Sequence, residues 1–183
     1  MEIYLDIKIN CDGKREKAER DMATVLIDDG MSQRKSPSAK AARRTRAGDV
    51  PWIRLGEGRE LKPLRFMSED RGYIALLRIE PGAVVPVHRH TGEVHSFMIE
   101  GQRELHTGEI IGPGDYVFEP AGHIDTWKGA GEGPAVVLVV VYGAADHVGP
   151  TDQKERRFSS LNVEKMYRAH CDAQGVEVLD LVD

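Results

Sequence analysis

The chain has 183 residues, which allows one domain of ordinary size with a tail left over, and 40% of them are hydrophobic, enough for a real core. A formal charge of −5 gives no global case for binding nucleic acid. No apolar run approaches the roughly 20 residues of a membrane helix; the longest, AVVLVVVY, is strand-sized and β-branched, so no membrane association is expected.

The N-terminal MEIYLDIKIN alternates well enough for a short strand and lacks the basic start and uninterrupted apolar run of a signal peptide. KREKAERDMATVLIDDG predicts one helix, closed by Gly30. MSQRKSPSAKAARRTRAGD is polar, small and basic, with Arg34, Lys35, Lys40, Arg43, Arg44 and Arg46 close together. No aromatic residues interleave these charges, so it reads as a solvated linker rather than a nucleic-acid arm. Cys11 and Cys171 lie far apart and match no zinc spacing, which predicts two free thiols in a cytoplasmic protein.

From Trp52 onward, short apolar segments are separated by Gly and Pro, as in EPGAVVP, IIGPGD and EPAGH. The expected strands are YIALLRI, VPVHRH, VHSFMIEG, QRELH, YVFEP, IDTWKG and AVVLVVVYG. This spacing predicts an all-β fold, an antiparallel sandwich or barrel. LNVEKMYRAHCDAQG then predicts a helix packed on the outside of the β domain, with Asn162 as N-cap. Val163, Met166, Tyr167 and His170 form its apolar face, and Gly175 is its stop. VEVLDLV after it adds an edge strand or lies loose. The expected organisation is an N-terminal extension with a partly disordered basic linker over 1–50, a barrel over 51–148, and a helix and tail over 149–183.

His88, His90, His95, His106 and His123, five of the seven histidines, fall in one 36-residue window. Alternate residues of a strand share a face, so His88 and His90 point the same way, together with Val84. By the same rule His95 shares a face with Glu93, Phe97 and Ile99, and the two core-type residues predict that this face points inward. Imidazole binds Fe, Zn, Cu, Ni and Mn. Taken alone, H-x-H on a strand fits surface or satisfied core histidines as well as a metal site.

The surrounding turn residues add to the pattern. Gly82, His88, His90, His95 and Gly101, then Gly114, Pro120, Gly122 and Asp125, resemble the two motifs of the cupin superfamily, G-x5-H-x-H-x3,4-E-x6-G and G-x5-P-x-G-x2-H-x3-N. His95 stands in the usual Glu column, and Asp125 in the usual His column. KPLRF, LLRIEPGAVVPVHRH, VHSFMIEG, GDYVFEPAG with DT after it, and YRAH are similar to the 2,4'-dihydroxyacetophenone dioxygenase group, over about residues 52 to 171. The acetylacetone-cleaving dioxygenases are similar in architecture. The resemblance implies a cupin-type antiparallel β-barrel, a double-stranded β-helix or jelly roll, which holds a metal between the two motifs.

In that group a non-haem Fe(II) held by three histidines cleaves, with O2, the C–C bond beside a carbonyl of a hydroxyketone or β-diketone. The resemblance implies His88, His90 and Asp125 as metal ligands, with Fe(II) as the expected ion and Zn, Ni, Mn or Cu as alternatives. Glu93, His95 and His123 are the candidate catalytic residues. His95 serves as a fourth ligand or a hydrogen-bond partner. His123 replaces Asp125 as ligand if the backbone bends at Gly122. Glu93 and Glu119 are orienting groups or bases, or else solvated rim carboxylates. Phe97, Tyr116, Phe118 and Trp127 line an apolar pocket or belong to ordinary core. Arg65 and Arg78 read as surface or ion-pair residues. His106, His147 and His170 carry no signal. The expected partners are a small ketone, O2 and further copies of the chain in a homodimer or homotetramer. The alternatives to a dioxygenase are a metal- or ligand-sensing cupin without turnover and a cupin isomerase or hydrolase.

Overall fold

The computed structural model describes residues 42–149 and 154–183. The strand and helix expected before Gly30, the linker up to Lys40, and Cys11 lie outside the described residues. The strands are β1 (Ile53–Gly56), β2 (Arg59–Met67), β3 (Gly72–Ile79), β4 (Val84–His90), β5 (Val94–Glu100), β6 (Gln102–Leu105), β7 (Ile110–Ile111), β8 (Tyr116–Glu119), β9 (Ile124–Ala130), β10 (Ala135–Tyr142), β11 (Ala145–Val148) and β12 (Lys154–Phe158), followed by one helix, α1 (Ser160–Gln174). They form two six-stranded antiparallel sheets of order β1-β2-β3-β10-β5-β8 and β12-β11-β4-β9-β6-β7. From β3 to β10 the chain crosses from one sheet to the other at every step except the β6–β7 hairpin, the winding of a jelly roll.

The seven strands read from the sequence are all present; β1, β2, β7, β11 and β12 extend the two sheets beyond them. The run AVVLVVVY becomes β10 at the centre of the first sheet. Its Ala135, Val137, Val139 and Val141 face the core, and the residues between them face out. Tight turns close the strands. Gly101, between β5 and β6, has φ 66°, and a Cβ there would lie 2.2 Å from the Pro134 carbonyl oxygen, so no other residue fits.

β4 departs from a regular strand. Val85 pairs with Trp127 of β9, but the next pair is His88 with Asp125, so β4 has one residue more than β9 across this interval. Pro86 lies in the bulge, where its missing N–H costs no ladder bond. The extra residue shifts the phase of the strand. Val84, expected on the histidine face, is exposed, whereas Val85 turns inward with His88 and His90.

Chain on both sides of the barrel lands on β2. Lys62 Nζ donates to the Ala47 carbonyl at 2.7 Å, Thr45 Oγ1 to the Leu64 carbonyl at 3.3 Å, and Val50 is buried. The packed chain thus begins upstream of residue 51. At the other end the Phe66 N–H donates to the Leu181 carbonyl at 2.8 Å, Val182 bridges Phe66 in parallel, and Leu181 is buried. The tail is neither loose nor a full edge strand. α1 packs on β2 through Val163, Tyr167 and Cys171, and Gly175 ends it at φ 65°. Its N-cap is Ser159 rather than Asn162, because a distant group takes over the capping. Asp70 Oδ1 accepts the Leu161 N–H at 2.9 Å, which frees the helix to start before Asn162.

Phe66 joins these pieces, since it is buried in β2 with its ring 6.1 Å from that of Tyr167. Phe66→Ala is expected to lower stability by about 3–5 kcal/mol in urea unfolding. Metal uptake by the folded fraction should be unchanged.

Candidate metal centre

The bulge sets the orientation of the first two histidines. His88 and His90 are both buried, with rings 4.7 Å apart and nearly perpendicular. His88 Nδ1 lies 2.8 Å from the Pro86 carbonyl, which is available for it because of the bulge. With that N–H donated, Nε2 keeps its lone pair for a ligand. Burial pushes the His88 imidazole below its ordinary value, against the pull of the Pro86 carbonyl, so the ring is held neutral. The backbone of His90 is fixed by the second motif. Its N–H donates to the His123 carbonyl at 2.9 Å, and its carbonyl accepts the Gly122 N–H at 2.8 Å. Gly122 makes that approach at φ 84°, a conformation that side chains disfavour.

Two carboxylates converge on this pair. Asp125 sits opposite His88 on the β4–β9 ladder and is buried. Glu119, at the end of β8, is buried with Oε2 2.7 Å from His90 Nε2. That contact is close but not directed, and both Glu119 Oε2 and His90 Nδ1 remain buried without a hydrogen bond. Burial pushes the Glu119 carboxyl up, but the combined pull of His90, Arg103 and His88 outweighs it and holds the group below the usual carboxylate range. Arg103 is 1% exposed; it donates from Nη2 to Ser96 Oγ at 2.8 Å and lies 5.0 Å over the Trp127 ring. Its Nε has no partner.

These groups open on a cavity of about 160 Å³ whose walls are mostly apolar, with Leu61, Leu77, Val139, Val141 and Trp127 among them. His88, His90, Glu119 and Arg103 line it, and so does His147 of β11. His147 pairs with His88 on the adjacent strand, with rings 5.7 Å apart, and burial, then the charges of His88, Arg156 and Arg59, push it down to about 4.

Other expected residues fall elsewhere. Val94, Ser96 and Met98 are the inward residues of β5, so His95, Phe97 and Ile99 face outward. The inward face expected for His95 and Glu93 is corrected on this point. His95 Nδ1 lies 2.6 Å from the Tyr116 hydroxyl and its ring packs on Phe118, while Glu93 is exposed. Phe97, Tyr116 and Phe118 likewise stand on the outer face; of the expected pocket aromatics only Trp127 lines the cavity. Arg78 is paired with Glu60 and lies over Trp52. His123 is half-buried and groups with Glu119 and Asp125, whose ligand atoms lie within 4.8 Å of one another. His106 Nδ1 is 3.1 Å from Asp125 Oδ1, so this histidine, passed over in the sequence, orients the buried carboxylate. Arg103 was also missed, although it shares a strand face with the apolar Leu105. His147 was missed because β11 was not read as a strand.

A divalent cation fits this donor set. Glu119, His123 and Asp125 offer ligand atoms within 4.8 Å of one another, buried His90 lies 2.7 Å from Glu119, and the buried atoms Glu119 Oε2 and His90 Nδ1 lack hydrogen-bond partners. Leaving such groups buried and unpaired is costly, and a cation removes that cost. Replacing both His88 and His90 by Ala is expected to abolish metal in the purified protein, read by elemental analysis, while circular dichroism keeps its β signal. Asp125→Ala should lose most of the metal affinity, and His123→Ala should keep it. Metal lost with His123→Ala and kept with Asp125→Ala would reverse that assignment.

The model of the ChrR Cupin-like domain matches residues 40–144, more than half of the chain. Among curated proteins none matches in sequence. Among solved structures, an RmlC-like cupin protein of Ralstonia eutropha JMP134 is 20% identical, with 78% of this chain and 95% of that chain covered at a TM-score of 0.73. A cupin-like-fold protein of unknown function from the same organism is 19% identical, with 78% and 96% covered at 0.66. An acetylacetone dioxygenase from Acinetobacter johnsonii is 14% identical, with 74% and 96% covered at 0.62. At these identities the structural likeness shows the fold alone. The two sheets, the paired motifs around His88 and Asp125 and the family match agree: this chain belongs to the ChrR Cupin-like family of the cupin superfamily.

Proposed function

We propose that the barrel is an Fe(II)-dependent dioxygenase that cleaves the C–C bond beside a carbonyl of a hydroxyketone or β-diketone. The observation that carries this reading is the set of His88, His90 and Glu119 lining a mostly apolar cavity, with buried Asp125 opposite His88 on the β4–β9 ladder. His88, His90 and Asp125 hold the ion, with Glu119 beside them. Two imidazoles and a carboxylate with further positions open suit a ferrous ion that must also take a substrate and O2. Bound there, the iron supplies affinity for O2 and for the oxygen atoms of an enolised ketone. The protein supplies the rest. Glu119 Oε2, held ionised, takes the proton that an enolising substrate gives up. Arg103, pinned by Ser96, puts a positive charge beside the resulting negative one. Tyr73, Trp127 and the aliphatic walls exclude water.

The test is oxygen uptake by anaerobically Fe(II)-loaded protein against a panel of hydroxyacetophenones and β-diketones. The expected result is uptake matched to ketone loss with at least one compound, and none with His88→Ala/His90→Ala. A second reading is a cupin that binds metal or a small ligand without turnover. It is favoured by Asp125, which stands where the dioxygenase group places a histidine. Tight ligand binding with no oxygen consumed across the panel would select it. Oxygen-independent loss of the ketone would instead point to an isomerase or hydrolase.

The outer face of the first sheet supports the expected homo-oligomer. Phe97, Tyr116, Phe118 and Tyr142 are each more than 40% exposed beside the β8 edge, a contiguous aromatic patch unusual for a monomer. Sedimentation should give a dimer, and Phe97→Arg should shift it toward the monomer. A native protein that sediments as a monomer at micromolar concentration would remove this assembly.

A further inference from the structure

The charges that line the cavity are unbalanced. Arg59, Arg103 and Arg156 all face it, while Glu119 is the one acidic group among the lining residues. The imbalance persists when the nearby Asp125 is counted, and a divalent ion in the site would enlarge it. Arg103 is the most buried of the three and leaves Nε without a partner. Arg59 and Arg156 have no carboxylate within ion-pair distance among the described residues. Among the described residues the Arg156 side chain hydrogen-bonds only to Met166 Sδ, at 3.4 Å. Arg78, Arg157 and Arg168, which do not line the cavity, are matched to acids, and Arg156 is exposed on its outer side.

The topology fixes where the unmatched pair sits. Arg156, His147, His88 and Asp125 stand opposite one another in sequence across β12, β11, β4 and β9, which makes one cross-strand row. Directly opposed residues share a sheet face. The row therefore runs from the candidate metal ligands to Arg156, which lies two strand spacings from His88, about 10 Å between backbones. Arg59 belongs to β2, on the same side of the barrel as β12 and away from Glu119 on β8. The cavity thus carries a polar row along one wall, with His147 between His88 and Arg156, and mostly apolar residues on its other walls. One end holds His88, His90 and Glu119, and the other holds the Arg59 and Arg156 guanidinium groups, that of Arg156 over Phe158.

We propose that the cavity selects a small organic ligand bearing a carboxylate, which Arg59 and Arg156 hold while the ligand's ketone oxygens face His88, His90 and Glu119. Guanidinium binds carboxylate through paired, charge-assisted hydrogen bonds, and the apolar walls facing the row suit a short hydrocarbon spacer. This rests on the metal-binding reading above and narrows its substrate class from neutral ketones to keto acids.

The test compares two probes with the same carbon skeleton. Heptane-2,4-dione and 4,6-dioxoheptanoate are β-diketones that differ in having a methyl or a carboxylate at the far end. Each is titrated into the Fe(II)-loaded full chain under nitrogen, and Kd is read by calorimetry, so no turnover is needed. The carboxylate is expected to bind at least about tenfold more tightly, roughly 1.4 kcal/mol. The gain should shrink as salt is raised from 50 to 500 mM. Arg59→Met/Arg156→Met should remove the gain without changing metal content or the affinity for heptane-2,4-dione, and Arg59→Lys/Arg156→Lys should restore part of it. Equal affinities in the native protein, no binding of either probe, or a gain that survives in the methionine variant would each overturn the proposal. The two readings fail separately. Oxygen uptake on neutral diketones with no preference for the acid would keep the dioxygenase and discard the anion site. A preference for the acid with no oxygen uptake would do the reverse.

Discussion

A carboxylate taken out of water inside an apolar barrel must find positive charge or hydrogen bonds close by. Glu119 and Asp125 are both buried, and the arrangement of the barrel interior follows from that demand. His90 and Arg103 stand beside Glu119; His88 and His106 stand beside Asp125. Arg103 in turn requires Ser96, a small polar residue on the inward face of a strand whose other inward residues are Val94 and Met98. Each of these pairings crosses between strands. The site therefore exists only when both motif regions are folded together.

Parts of this were open to sequence reasoning for a definite physical cause. Strands bounded by Gly and Pro are marked locally, because turn conformations restrict residue type at single positions. The H-x-H pair is also robust. Two residues apart on a strand face the same way whatever happens upstream, so the bulge at Pro86 could not separate His88 from His90. It did separate them from Val84, since a one-residue insertion reverses the phase of everything on its far side.

His95 shows the opposite case. Alternation marks the inward face only when the other face is polar. In VHSFMIE both faces of β5 carry large apolar residues, because the outer one is an aromatic patch. The small Ser96 is inside for the sake of Arg103, and Phe97 is outside. Nothing local distinguishes these roles. His147, His106 and Arg103 were hidden for a related cause: what gives each its place is a partner on another strand, not a neighbour in sequence. The Ser159 cap is hidden likewise, since the carboxylate that secures the helix start, Asp70, is 91 residues away.

The meeting of both ends of the domain on β2 has a kinetic meaning. Ser68 at the end of that strand bonds to Asp183, 115 residues later, and Phe66 exchanges backbone bonds with the same tail. Contacts so distant along the chain close slowly, because loop-closure entropy must be spent before they return anything. On a ribosome, β2 would emerge early and wait with one stretch of its edge bare until residues 181–183 leave the exit tunnel. Completion of the outer layer thus comes late for this domain, and the interval before it is when Phe66 is open to the wrong partners.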